Sequence, residues 1–198
     1  MNILGVSCWY HDGAAALIQD GKIVACAEEE RFTRIKHDFN FPENAINFCL
    51  EEANITLKDI DWVVFYDKPF HKFERIISSI LKEVPFSCGV FREAIPLWLK
   101  EKLHFRKKVK KTFGINEDKI LFCWHHLSHA ASSFFLSPFE EAAILTIDGV
   151  GEWTTATLGY GKGNKITISE ELHFPHSLGL LYSAFTAFLG FKVNEGEY

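Results

Sequence analysis

Short apolar runs separated by Gly, Pro and polar turns predict an α/β protein. The first three runs, at residues 2–8, 13–19 and 22–30, predict strands. Asp20-Gly21 predicts a type I′ hairpin between the last two, because both central positions of that turn need a positive φ. Pro42-Glu43-Asn44 begins a helix predicted to run to about residue 54. The remaining predicted elements are strands at 62–66, 119–124, 142–148, 153–160 and 165–173, and helices over 71–113 with breaks at Pro85 and Pro96, 128–135 and 177–189.

A weak internal repeat relates the beginning of the chain to its last third. Each copy has a strand, a turn with a polar residue and Gly, a second strand, a Gly-containing hairpin and a third strand. The copies are Ile3–Val6, His11–Leu17 and Asp20–Ile23, and then Ile144–Gly149, Thr154–Leu158 and Gly161–Ile166. The repeat predicts a duplicated fold with a ligand cleft between its halves. We therefore expect a first half over residues 1–140 and the start of a second half over 141–198, with the boundary at Ser137-Pro138-Phe139.

Composition is that of an ordinary soluble protein. Of 198 residues, 47% are hydrophobic, enough for a large core in which many of the 19 Phe residues are expected. A net charge of −5 does not indicate nucleic-acid binding by the molecule as a whole. The basic run Lys100–Lys111 is interleaved with apolar residues, as expected for a helix with one buried stripe and a solvated basic face. Five scattered cysteines without a CxxC pair predict reduced thiols. Without a leader or a long apolar run, we expect a cytoplasmic protein with no membrane segment and no nucleic-acid partner.

Two histidines and a carboxylate form the strongest candidate site. His125 and His129 are four residues apart, which on a helix places both imidazoles on one face, whereas His126 points about 100° away. Asp148 follows the apolar run 142–147, at the end of a predicted strand, where α/β folds usually bind ligands. Two neutral imidazoles and a carboxylate can hold a divalent metal and leave room for substrate oxygens. The alternative is two hydrogen-bonded or solvated histidines on a helix.

A second candidate lies in the turn after the first strand. Gly13, in His11-Asp12-Gly13, would let backbone amides approach an anion, although Asp-Gly also favours an ordinary tight turn. Imidazoles titrate near neutral pH, so His11 is a candidate to orient or deprotonate a hydroxyl. Lys36 follows the third strand and either neutralises a phosphate or oxyanion or is a solvated cation. In Glu28-Glu29-Glu30, strand alternation allows one inward carboxylate.

Three segments of the chain, in order, resemble the amino-terminal part of the O-carbamoyltransferases of nodulation-factor and antibiotic biosynthesis. They are Tyr10–Leu17 with Ala27–Phe32, His125–Ala130 with Asp148-Gly149, and Phe174–Tyr182 running on to Asn194–Tyr198. The resemblance implies an α/β, actin-like ATPase (ribonuclease H-like) duplicated fold, related to the tRNA threonylcarbamoyl-transfer proteins. It also implies transfer of a carbamoyl group from carbamoyl adenylate, made from carbamoyl phosphate and ATP, to a hydroxyl of a sugar-like small molecule.

The resemblance also implies roles for particular residues. His125, His129 and Asp148 would hold a divalent metal, with iron as the implied species and a further Asp expected beyond Tyr198. Asp12-Gly13 and Asp148-Gly149-Val150-Gly151 would be the two phosphate loops for the nucleotide, and His11 would orient or deprotonate the acceptor hydroxyl.

Two rival functions share these motifs. One is a threonylcarbamoyl-type tRNA-modifying protein, which the Phe174–Tyr198 segment disfavours, and the other is a non-catalytic nucleotide-binding module. Family members continue past the residue matching Tyr198 into a separate donor-forming domain, so we expect this chain alone to be inactive. The apolar helix predicted at 177–189 is then expected to be partly exposed and to cause self-association.

Overall fold

The computed structural model of the chain describes residues 1–10, 12–85, 89, 91, 92, 95, 96, 98, 104–194 and 196. The described residues form two sheets with helices, which confirms the predicted α/β class. The strands are β1 Asn2–Ser7, β2 Ala14–Gln19, β3 Lys22–Glu28, β4 Trp62–Phe65, β5 Ile120–Phe122, β6 Glu141–Ile147, β7 Thr154–Lys162 and β8 Lys165–His173. The α-helices are α1 Glu30–Thr33, α2 Glu43–Glu52, α3 Pro69–Lys82, α4 Phe105–Phe113, α5 His125–Phe134 and α6 Leu178–Phe188, and short 3₁₀ helices span Leu57–Asp59 and Glu117–Lys119.

The predicted strands are confirmed to within about two residues at their ends. Asp20 and Gly21 have φ angles of 51° and 80°, as the type I′ hairpin requires. The largest shift is in α5, which begins at His125 rather than at the predicted residue 128. Much of the predicted helical stretch between α3 and α4 lies outside the described residues.

The chain forms two compact units. The first unit comprises Met1–Tyr66 and Ile80–Cys123, and the second unit comprises Asp67–Ser79 and Trp124–Tyr198. From residue 124 onward, the chain belongs to the second unit. The assignment of 1–140 and 141–198 to the halves of a duplicated fold stays a prediction.

The first unit is built on a mixed five-stranded sheet in the order β3-β2-β1-β4-β5. Strands β1, β2 and β3 pair antiparallel, whereas β4 pairs parallel to both β1 and β5. Helix α2 packs on β2 and β3 through its buried stripe, which includes Ile46 and Cys49. Phe rings fill much of the core, as expected from composition, and Phe105 lies 4.3 Å from Phe65 between ring centroids.

The second unit is built on an antiparallel sheet in the order β6-β7-β8. Strand β6 alternates, so that Ile144 and Thr146 are buried while Leu145 and Ile147 are exposed. Helix α5 packs on the buried face, with Phe134 against Ile144. The antiparallel meanders β1-β2-β3 and β6-β7-β8 confirm the strand pattern of the internal repeat. None of the described helices combines the length and apolarity needed to cross a membrane.

Candidate metal centre

The first two turns of α5 carry both candidate histidines. His125 is the first residue of the helix and His129 lies one turn later, so both rings project from the same face, as predicted. Their centroids are 4.6 Å apart and the ring planes are perpendicular. His125 is buried, whereas the side chain of His129 is 49% exposed. One ligand position is therefore enclosed and the other opens to solvent.

The end of strand β6 places the carboxylate of Asp148 beside both histidines. Asp148 follows Ile147, and its N–H donates to the carbonyl of Thr155 at 2.9 Å, which continues the pairing with β7 by one step. Its Oδ2 lies 2.8 Å from His125 Nε2 and 3.9 Å from His129 Nε2, and the two Nε2 atoms are 3.1 Å apart. The structure therefore brings the three predicted ligands together.

The spacing of these three atoms fits one shared cation. Two ligand atoms that are each about 2.1 Å from an ion, at tetrahedral or octahedral angles, are separated by roughly 3.0 to 3.4 Å. The observed separations of 2.8, 3.1 and 3.9 Å bracket that range. Two imidazole nitrogens and one carboxylate oxygen suit zinc or a first-row transition metal such as iron. His125, His129 and Asp148 could therefore hold a divalent metal with positions left for other ligands.

Electrostatics keep the carboxylate charged. Burial by itself would raise the pKa of Asp148, but the hydrogen bond and the charge of His125 outweigh it and hold the pKa far below its usual range. Partial burial and the neighbouring His125 lower the pKa of His129. At neutral pH the cluster therefore offers an ionised carboxylate and a neutral imidazole at position 129, the forms that bind metals.

His126, between the two candidate ligands, is fully engaged elsewhere. Its Nε2 lies 2.9 Å from the carbonyl of Thr154, so this nitrogen must be the donor. Its Nδ1, 2.6 Å from Thr146 Oγ1, must then accept from that hydroxyl, which in turn accepts from Thr157 at 2.6 Å. Burial and His125 lower the pKa of His126. His126 is therefore a neutral anchor of α5 on the sheet.

Glu152 caps the N-terminus of α5, which sequence analysis missed. Its carboxylate accepts from the N–H of His125 at 3.2 and 3.3 Å and from the N–H of Lys68 at 2.9 Å. The side chain is almost completely buried beside Asp67, which pairs with Lys72. Burial first, and then the charge of Asp67, raise the pKa of Glu152. No local sequence signal points to this cap, because its acceptor lies 27 residues after the helix start.

Two glycines hold the ligands at close range. A Cβ on Gly151 would lie 3.0 Å from Cβ and 3.1 Å from Cδ2 of His125, so a larger residue there would require His125 to shift by a few tenths of an ångström. A Cβ on Gly179 would lie 2.5 Å from the carbonyl oxygen of Asp148. Ser177 Oγ donates to the carbonyl of Gly149 at 2.7 Å and caps α6 by accepting from Leu180. Gly179 and Ser177 are further site residues that sequence analysis did not identify.

The backbone amides of the three glycines in the predicted phosphate loops have partners within the chain. The N–H of Gly149 donates to Asp148 Oδ1 at 2.7 Å, and that of Gly151 to the carbonyl of Thr154 at 2.9 Å. In the first unit, the N–H of Gly13 donates to the carbonyl of Asp38. Their assignment to nucleotide binding stays a prediction.

The remaining predicted site residues belong to the first unit. Asp12 Oδ1 lies 3.0 Å from His37 Nδ1. Lys36 is exposed in the turn between α1 and α2. His11 lies outside the described residues, so its predicted role has no structural counterpart here. The inward carboxylate expected among the three glutamates is Glu29, which is 3% exposed.

Comparison with known proteins identifies the class. The model of the Carbamoyltransferase N-terminus family matches residues 2–198, so the chain belongs to that family. It is 54% identical over 204 residues to the uncharacterized protein sll1178 of Synechocystis, covering 100% of this chain and 33% of that protein. It is 38% identical over 190 residues to the nodulation protein NolNO of Sinorhizobium fredii, covering 95% and 26%.

The chain thus spans a third or less of the length of these relatives. Among solved structures, YeaZ from Pseudomonas aeruginosa aligns with a TM-score of 0.43 at 14% identity, covering 88% of this chain and 69% of that one.

Proposed function

We propose that this chain is the metal-bearing part of a carbamoyltransferase with an actin-like duplicated fold, which transfers a carbamoyl group from carbamoyl adenylate to a hydroxyl of a sugar-like molecule. The observation that carries the proposal is the convergence of His125 Nε2, His129 Nε2 and Asp148 Oδ2 in a member of the Carbamoyltransferase N-terminus family. Carbamoyl adenylate would be made from carbamoyl phosphate and ATP, and iron is the proposed metal.

When bound, the metal would supply a Lewis acid that polarises the carbamoyl carbonyl or orients a phosphate. His125 and His129 would act as neutral donors and Asp148 as the charged donor. Three protein ligands leave positions for substrate oxygens, as in catalytic metal sites. The exposed edge of His129 is the open side of the cluster and the proposed direction of substrate entry.

Residues of the first unit would handle the rest of the chemistry. His11 is proposed to orient or deprotonate the acceptor hydroxyl. Lys36, exposed on its turn, is proposed to offset charge on the donor phosphate or on the developing carbamoyl oxyanion. Asp12 and Gly13 are proposed to contact the nucleotide.

The test is product formation by the full-length protein. Prepared anaerobically with Fe(II), it is given carbamoyl phosphate, ATP and a panel of hydroxylated sugars, and carbamates are measured by mass spectrometry. We expect His129→Ala to lower carbamate formation at least about 100-fold, while His173→Ala, an exposed histidine on β8, leaves it unchanged. Equal rates in the wild type and in His129→Ala would refute the proposal.

A further inference from the structure

Three ionisable side chains of the second unit are almost completely buried beside the candidate metal centre without being ligands. Glu152 is 3% exposed, Asp67 4% and Lys72 5%. Burying charges is costly unless they are paired and hydrogen-bonded. Lys72 Nζ pairs with Asp67 Oδ2, and Glu152 lies against Asp67. Hydrogen bonds from neighbouring groups to these side chains offset part of that cost.

What Glu152 holds is the backbone at two helix starts. Its Oε1 accepts from the N–H of Lys68, the residue before α3, and from the N–H of His125, the first residue of α5. Its Oε2 accepts from His125 as well. Trp124, at the N-cap position of α5, provides no side-chain cap. Glu152 therefore supplies the acceptor that a local Ser, Thr or Asp normally supplies.

The position of His125 makes this cap relevant to the metal. The first turn of a helix has free N–H groups and frays most easily, and here it carries a proposed ligand. The turn between β6 and β7 contacts His125 in three ways. Asp148 hydrogen-bonds its Nε2, Gly151 packs against its ring and Glu152 binds its N–H.

We infer that Glu152 is a positioning residue of the metal centre: its carboxylate fixes the backbone of His125 so that the imidazole is presented to the metal beside Asp148. The inference rests on the proposed metal centre and adds a residue that lies outside its ligand set. Residues that orient metal ligands typically change metal affinity by about 10- to 100-fold when they are replaced.

Two substitutions separate hydrogen bonding from charge and length. Glu152→Gln keeps an oxygen that can accept from Lys68 and His125, and its amide can donate to Asp67. Glu152→Asp keeps the charge but shortens the side chain by one methylene, so it cannot reach both N–H groups. The matched control is Glu141→Asp, since Glu141 is an exposed carboxylate at the start of β6.

In the experiment, Co(II) is titrated anaerobically into the full-length protein and its variants, and binding is monitored by the d–d absorption of the bound metal. We expect Glu152→Gln and Glu141→Asp to bind within about 2-fold of the wild type. Glu152→Asp should bind about 10- to 100-fold more weakly, with an altered spectrum. Circular dichroism verifies that each variant is folded.

A double-mutant cycle distinguishes positioning from a general structural role. If Glu152 acts through His125, Glu152→Asp weakens Co(II) binding in the wild type and has little further effect in His125→Ala. Equal losses of Co(II) affinity in the wild type and in His125→Ala, or an unchanged affinity in Glu152→Asp, would overturn the inference about Glu152 but not the proposed function. Failure of the wild type to bind Co(II) would overturn the proposed function and the inference with it.

Discussion

At the scale of single residues, the glycines of the β6–β7 turn have a steric role. A Cβ on Gly151 would crowd the ring of His125 at 3.1 Å, so that the ring would have to shift, whereas a Cβ on Gly149 would meet Leu180 at 3.8 Å, an ordinary contact. The sequence motif Asp-Gly-x-Gly cannot distinguish these two positions, because the residue that crowds Gly151 is His125, which lies 26 residues earlier in the chain.

This difference predicts that alanine will weaken Co(II) binding at position 151 but not at position 149. Gly151→Ala should push the imidazole of His125 away from Asp148 and weaken Co(II) binding about 10-fold or more. Gly149→Ala should bind Co(II) like the wild type, because its methyl group finds space. Spectroscopic titration of both variants measures the effect. Similar affinities would show that the contact between Gly151 and His125 does not position the ring.

The buried cysteines provide a second residue-scale prediction. Burial, and then the charge of Cys26, raise the pKa of Cys49 to about 11, and burial also raises the pKa of Cys8. A thiol with a raised pKa stays protonated and unreactive below that value. At pH 8, iodoacetamide should therefore label exposed Cys26 quickly, and Cys8 and Cys49 only after denaturation. Rapid labelling of Cys49 in the folded protein, seen by peptide mass spectrometry, would contradict the assigned burial.

At the scale of elements, strands were easier to predict than helix starts. Alternation and the Asp20-Gly21 turn are local signals, so they locate β2 and β3 from the sequence alone. The start of α2 was predicted from the local Pro42-Glu43-Asn44 signal, and Glu29 caps it in addition, whereas the start of α5 depends on Glu152, a carboxylate 27 residues farther along the chain. These caps form only when the fold is complete, which explains why α5 was predicted to begin at residue 128 instead of His125.

The cap that Glu29 provides at the start of α2 gives a prediction at the scale of elements. Its carboxylate accepts from the N–H of Ala45 at 2.9 Å and from the N–H and side-chain amide of Asn44. Glu29→Ala leaves the buried N–H of Ala45 without an acceptor and should lower the free energy of unfolding by about 1 to 3 kcal/mol. The control Glu28→Ala removes an exposed carboxylate and should change it by less than about 0.5 kcal/mol. Urea denaturation giving equal midpoints for the two variants would refute the capping role.

At the scale of the whole molecule, the internal repeat predicted the two antiparallel meanders but not which residues belong to each unit. Residues Asp67–Ser79, which follow β4 of the first unit, belong to the second unit, where Asp67 meets Glu152. Neither residue has a sequence signal for the other, because a buried ion cluster is specified by packing across 85 positions of the chain. Likewise, the sequence predicts the metal ligands through their spacing, whereas the residues that hold them are found only in the structure.

The exposed surface of α6 yields the prediction for the molecule as a whole. Phe185 is 58% exposed and Phe188 83%, and the neighbouring leucines Leu181 and Leu189 are also exposed, as expected from the sequence. An apolar patch of this kind favours association. We expect this 198-residue chain to self-associate in light scattering, and the double substitution Phe185→Ser and Phe188→Ser to reduce the apparent mass. Phe70→Ser, at an exposed position on α3, is the control and should leave the mass unchanged.

The central claim is that His125, His129 and Asp148 bind one metal ion, and X-ray absorption at the metal edge of the Fe(II)-loaded protein tests it most directly. The wild type should show two imidazoles and at least one oxygen at about 2.1 Å, and His129→Ala should show one imidazole fewer, with His173→Ala unchanged. A spectrum without imidazole scattering, or one that is identical in the wild type and in His129→Ala, would contradict the account.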